Sequence, residues 1–188
     1  MATLFVDKID PQSGTTLSLG SSGDTLQATA GTTNNLGISM ADQFRLTANL
    51  TSDTDPISSN LERVDDASFA KIGTGMTVSS GIFSFPQTGL YQVILAFRSY
   101  SSSSDTITGA TYVSTDGGTN YDLVAHGSNG DGGSSRVNTA TTISFVNVTN
   151  TTNVKVKFAV ESLTAGQVQG NTDLNLTHFT FIRLGDSQ

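Results

Sequence analysis

The stretch from Gly81 to Tyr100, GIFSFPQTGLYQVILAFRSY, contains a strand that is apolar on both faces. Successive side chains of a strand point to opposite sides, so Tyr91, Val93, Leu95 and Phe97 form one row and Leu90, Ile94 and Ala96 the other. Gln92 and Arg98 interrupt the second row. A β-domain with a single core alternates apolar-in and polar-out, so such a strand needs two covers, the second being another sheet or another subunit. The pattern is read as a subunit interface.

Other strands recur at short intervals. From Gln43 to Leu50, Phe44, Leu46, Ala48 and Leu50 alternate with Arg45, Thr47 and Asn49, which predicts one buried and one wet face. Weaker segments at Val64 to Phe69 and Met76 to Val78 precede a strand at Gly81 to Phe85. The corner Pro86-Gln87-Thr88-Gly89 follows, its proline presetting φ and its glycine admitting φ above zero. Thr106 to Ser114 and Tyr121 to Ala125 flank Asp116-Gly117-Gly118 and predict a hairpin. After a glycine-rich loop from Gly127 to Ser135, Ala140 to Val148 and Val154 to Val160 predict a second hairpin. The last strand, Leu174 to Leu184, has Phe179 and Phe181 on one side and Ile182 and Leu184 on the other, and is placed beside the Leu90 to Phe97 strand. The fold class expected is all-β, a two-sheet antiparallel sandwich or jelly roll, with little helix.

Residues 1–40 differ from the remainder. Leu17 and Leu19 lie before a Ser-Ser-Gly-Asp turn and Leu26 after it, too little apolar area for an independent core. Either association with its own copies or with a host particle supplies that area, or the segment is a flexible polar leader. The division adopted is a 1–40 anchoring and trimerising β segment, with Leu17, Leu19 and Leu26 as particle-anchor candidates, and a 41–188 head.

These signals resemble the jelly-roll heads of the first complement component and the tumour necrosis factor group, with their viral relatives. Gly81, Phe83, Pro86, Gly89 and Tyr91 match the family's G-x-F-x-x-P-x-x-G-x-Y order, and Phe179 and Phe181 look like its closing pair. The resemblance covers Ala41 to Gly185 and implies a homotrimer with the inner sheets around a three-fold axis. Tyr91, Val93, Leu95, Phe97, Phe179 and Phe181 are then the candidates for trimer interface or core. The leader phrase TTLSLGSSGDT is similar to leaders of tailed-bacteriophage fibre and appendage proteins. That similarity implies a virion-surface protein assembled in the host cytoplasm, serving as head decoration, head fibre or short tail fibre. Its partners are its own copies and capsid or tail proteins. The rival is a receptor-binding module whose loops at Ser101 to Ser104 and His126 to Ser135 recognise a host-surface carbohydrate.

Composition narrows the chemistry. The 188 residues contain no cysteine, which removes thiolate ligands and a cysteine nucleophile. Nine basic against sixteen acidic residues, a formal charge of −7, argue against nucleic acid as a partner. No window approaches the roughly 20 apolar residues of a membrane span, and no secretory pattern opens the chain, so membrane insertion is not expected.

His126 and His178 cannot make a metal site alone. Asp122, His126 and Ser128 crowd one short stretch without the separate rigid elements that a nucleophilic triad draws together. The phrases at 114–118 and 129–133 offer oxygen ligands, but neither fits a helix-flanked calcium loop, and both read as turns. Nothing selects a carboxylate pair for glycoside hydrolysis. Asn49, Asn147, Asn150 and Asn175 begin sequons that read as surface strand ends, and Tyr100, Tyr112 and Tyr121 either pack across strands or stack on a sugar ring. The reading is a non-enzyme with no catalytic residue, no cofactor and no metal.

Overall fold

In the computed structural model, Tyr91, Val93, Leu95 and Phe97 all turn inward to meet a second sheet, each at most 1% exposed. The structure describes residues 37–131, 133 and 135–188, so Leu17, Leu19 and Leu26 lie outside the described residues. Eleven strands and no helix occur among the described residues. They are β1 (Ala41–Leu46), β2 (Leu61–Arg63), β3 (Thr77–Ser79), β4 (Ile82–Ser84), β5 (Gly89–Ser101) and β6 (Asp105–Ser114). After these come β7 (Asp122–Asp131), β8 (Arg136–Val148), β9 (Lys155–Glu161), β10 (Gly166–Val168) and β11 (His178–Gly185).

All ladders are antiparallel. In the first sheet β8 pairs with one edge of β5, β11 and β10 share its other edge, and β1 and β2 continue beyond β11. The second sheet runs β3-β4-β9-β6-β7. The closing strand lies beside the central one, as its phenylalanines suggest, with Phe179 opposite Leu95 and Phe181 opposite Val93.

The core is aromatic. Phe83 sits among Phe44, Phe158, Phe179 and Phe181, with centroids 5.2 to 6.0 Å away in edge-on or tilted contact, the geometry that ring quadrupoles favour. Space between the sheets is tight enough that a Cβ on Gly109 of β6 would fall 2.6 Å from the Phe97 ring. The β3–β4 hairpin turns through Ser80 and Gly81, at φ +50° and +80°, the two-residue positive-φ turn that matches strand twist. At the next corner the Tyr91 hydroxyl donates to the Gln87 carbonyl at 2.9 Å, fixing the Pro86–Gly89 bend.

The structure differs from the sequence expectations at four places. First, the predicted hairpin of β8 with β9 does not form: β8 pairs with β5 in the first sheet and β9 with β4 and β6 in the second. Val146 and Val148 therefore face Val156 and Phe158 across one core, and the turn between them carries the chain from sheet to sheet. Second, β7 continues through the glycine-rich stretch read as a loop. A Cβ on Gly127 would meet the Thr142 side chain at 2.9 Å, so glycine lets the β7 edge close against β8.

Third, β1 ends at Leu46, and the following strand is Leu61–Arg63, not Val64 to Phe69. Fourth, Arg45, expected on a wet face, is 1% exposed. Its guanidinium donates to Glu62 at 2.6 Å, Asp66 at 2.6 Å and Asp65 at 2.5 Å, so the chain after β2 folds over it and pairs the buried charge.

A candidate interface on the outer face of the first sheet

The second row of β5 is only partly covered in a single chain, with Leu90, Gln92 and Ile94 half-buried and Ala96 buried. Strand register aligns the outward residues of the first sheet in cross-strand rows. One row runs Phe145, Gln92, Ile182, Ala41 from β8 to β1, and the next runs Ile143, Ile94, Thr180, Gln43. A third holds Thr141, Ala96, His178 and Arg45. Phe145 is 66% exposed and Ile143 55%, with Leu90, Ile94 and Ile182 half-buried beside them. Val137 and Leu184 add exposed apolar area at the ends of β8 and β11.

Next to this patch the segment after β2 arches over β1. It leaves a hollow of about 160 Å³ lined by Ala41, Gln43, Phe69, Ala70, Thr180 and Ile182. Toward the other end of the sheet the face becomes polar. The Nε of Arg98 and the Oε1 of Gln169 are buried atoms without a hydrogen-bond partner, on neighbouring strand segments joined by the bond from Gln169 N–H to the Arg98 carbonyl. His178 lies on the same face with Nδ1 3.2 Å from the Asn175 carbonyl oxygen, and burial pushes its pKa down.

The outer face of the second sheet is built differently. Lys157 Nζ lies 4.9 Å from the Tyr112 ring centroid and 4.8 Å from that of Tyr121, and pairs with Asp55 at 2.7 Å. The Tyr112 hydroxyl donates to Glu161 at 2.5 Å, and that bond with burial pushes its pKa up to about 12. On β5 of the first sheet, Tyr100 donates to Ser135 at 3.1 Å. These tyrosines are engaged in cross-strand and loop contacts, the packing alternative of the sequence reading.

The six residues nominated for interface or core all lie in the core, each at most 1% exposed. The interface candidates are instead their outward neighbours. Ile143 and Phe145 were missed because β8 was assigned to a hairpin, although it too alternates apolar residues on both faces, Ile143 and Phe145 against Val146 and Val148. The imagined triad does not assemble, since Ser128 hydrogen-bonds Thr108 at 2.8 Å while His126 stands exposed on the same strand.

The 114–118 turn uses its own oxygens. Asp116 accepts from the backbone and side chain of Asn120, from Ser114 and from Thr119, which holds its carboxyl down at about 2. Asn129 donates to the buried Ser99 hydroxyl. Among the described residues no three His, Cys, Asp or Glu are grouped to hold a metal ion. Asn150 belongs to its turn, accepting from the N–H groups of Thr152 and Asn153.

No protein-family model matches the chain, and no curated protein matches it in sequence. Solved structures do match its backbone. The Eiger TNF from S. frugiperda aligns with a TM-score of 0.60 at 14% identity, over 79% of this chain and 94% of that one. Murine APRIL at pH 5.0 aligns with a TM-score of 0.58 at 10% identity, over 77% and 98%. The fold is a TNF-like jelly roll. The TNF-like sandwich accounts for the five matched positions of the opening motif: Gly81 makes a turn, Phe83 centres the core, and Pro86, Gly89 and Tyr91 build the corner into β5.

Proposed function

We propose that this chain is a non-enzymatic structural head that assembles as a homotrimer through the outer face of its first sheet. It is displayed on the surface of a tailed-bacteriophage particle as head decoration, head fibre or short tail fibre. The observation that carries the assembly is the open apolar face of β5, β8 and β11, with Phe145 66% exposed at its edge. A contiguous apolar surface of this kind marks an interaction site. The TNF-like sandwich, and the trimer implied by the resemblance of its motif, favour copies of the same chain as the cover. The particle context is supported by the leader phrase TTLSLGSSGDT and by the small apolar content of residues 1–40, which suits an anchor completed by another protein.

The carbohydrate reading gains no comparable support, because Tyr112 and Tyr121 flank Lys157 and Tyr100 is bonded to Ser135. Deleting residues 1–36, which spares the buried Met40 of the core, tests the attachment. The head is expected to remain a soluble trimer and to be lost from purified particles. Undiminished incorporation of the deleted chain would refute attachment through this segment, and saturable binding to host cells would favour the receptor reading.

A further inference from the structure

A closed ring of three copies requires a heterologous contact, in which two different patches of each chain meet. Resting on the trimer reading above, we propose that the Phe145 ring of one copy inserts into the hollow formed by Ala41, Phe69, Ala70 and Ile182 of the next.

Three observations lead there. The ring is the most exposed large apolar side chain among the described residues, standing on β8, the edge strand of the first sheet. The hollow lies at the opposite side of the same face, three strand spacings away, or about 14 Å, so a chain cannot fill its own hollow with its own ring. Ring and hollow also share one row, since Phe145, Gln92, Ile182 and Ala41 are linked in register from β8 to β1. Rotation about an axis that runs along the strands changes no heights, so a knob on β8 reaches a neighbour's hollow only if both lie at the same level. They do.

Size and chemistry agree. The hollow measures about 160 Å³, and apolar cavities of about 150 Å³ accept a benzene ring. Ala41, Phe69, Ala70 and Ile182 offer apolar contact, while Asp42, Gln43 and Thr180 complete the lining, with the Gln43 amide donating to the Thr180 hydroxyl at 2.7 Å. A face-to-face meeting of two Phe145 rings would instead be self-complementary and would stop at a dimer.

The absence of cysteine makes the test clean. In a Phe145→Cys, Ala70→Cys double variant the two thiols of one chain are too far apart to bridge, because a disulfide needs Cα atoms within about 7 Å. Oxidation is therefore expected to give a covalently closed trimer on non-reducing electrophoresis, with each single variant remaining unlinked. Filling the hollow by Ala70→Trp is expected to raise the trimer dissociation constant at least about tenfold per contact, while the monomer's melting temperature is unchanged.

Dimers from Phe145→Cys alone would overturn the assignment, because they would place like rings together. So would a trimer that neither bridges in the double variant nor weakens with Ala70→Trp, a result that leaves the trimer reading standing. Sedimentation of the unmodified chain as a monomer would remove that reading, and this one with it.

Discussion

Truncating Phe145 to alanine separates assembly from folding. An aromatic side chain buries about 200 Å² when fully covered, so a ring that is 66% exposed in one chain leaves roughly 130 Å² for a partner to cover. At about 25 cal/mol per Å² that area is worth about 3 kcal/mol, of which an alanine retains a small part. The loss is then roughly 2–3 kcal/mol per contact, or roughly 6–9 kcal/mol over three contacts, a rise of about 10⁴ to 10⁶ in the trimer dissociation constant. Sedimentation equilibrium across a dilution series reads this directly.

Within the isolated chain Phe145 projects from the outer face and contributes nothing to the core cluster, so the unfolding free energy of monomeric material in urea should change by no more than about 0.5 kcal/mol. A dissociation constant within threefold of the parent would refute the reasoning. So would a loss of several kcal/mol in the monomer's own stability, because it would show the ring to be part of the fold.

The core gives the converse. Phe83→Ala removes a ring in contact with four others and should cost about 3–5 kcal/mol in urea denaturation, far more than Phe145→Ala costs the monomer. Gly109→Ala sets a methyl group 2.6 Å from the Phe97 ring, and calorimetry should show a loss of about 1–3 kcal/mol.

Asp105 provides a pH test. Burial alone would raise its carboxyl, but hydrogen bonds from Ala165, from the hydroxyl and N–H of Thr164, and from Thr106 overcome that and hold it below its ordinary 3.8. The unfolded chain therefore takes up this proton first as pH falls, so the contribution is complete above the unfolded pKa and is lost as pH drops through the lower native value. Urea midpoints between pH 6 and pH 2 should fall less steeply in Asp105→Asn, and an identical slope in both proteins would count against this carboxylate as a source.

The sequence carried the fold class and the two faces of most strands, because period-2 alternation reports which side chains share a face. Tyr91, Phe179 and Phe181 were legible as framework residues for that reason, and Phe83 through the resemblance of the opening motif. Pairing was not legible: Val146 and Val148 read equally well as hairpin partners of Val156 and Phe158 or as residues facing them from the other sheet. Only the completed topology selects the second. Gly127 and Gly130 carried loop propensity, and the closure of β7 on β8 overrode it.

The partly covered face was half legible. A strand apolar on both faces announced a second cover, but alternation does not say which row meets the core, so the aromatic row was open to interface or core until the packing placed it in the core. Arg45 shows the complementary failure, since no local pattern foretells that three carboxylates from Glu62, Asp65 and Asp66 will enclose a strand cation.

Sedimentation velocity of the unmodified chain at micromolar concentration tests the central claim most directly. The open face of β5, β8 and β11 predicts a single boundary at three times the 19.6 kDa chain mass, persisting on tenfold dilution. A stable boundary at 19.6 kDa across the same series would contradict it.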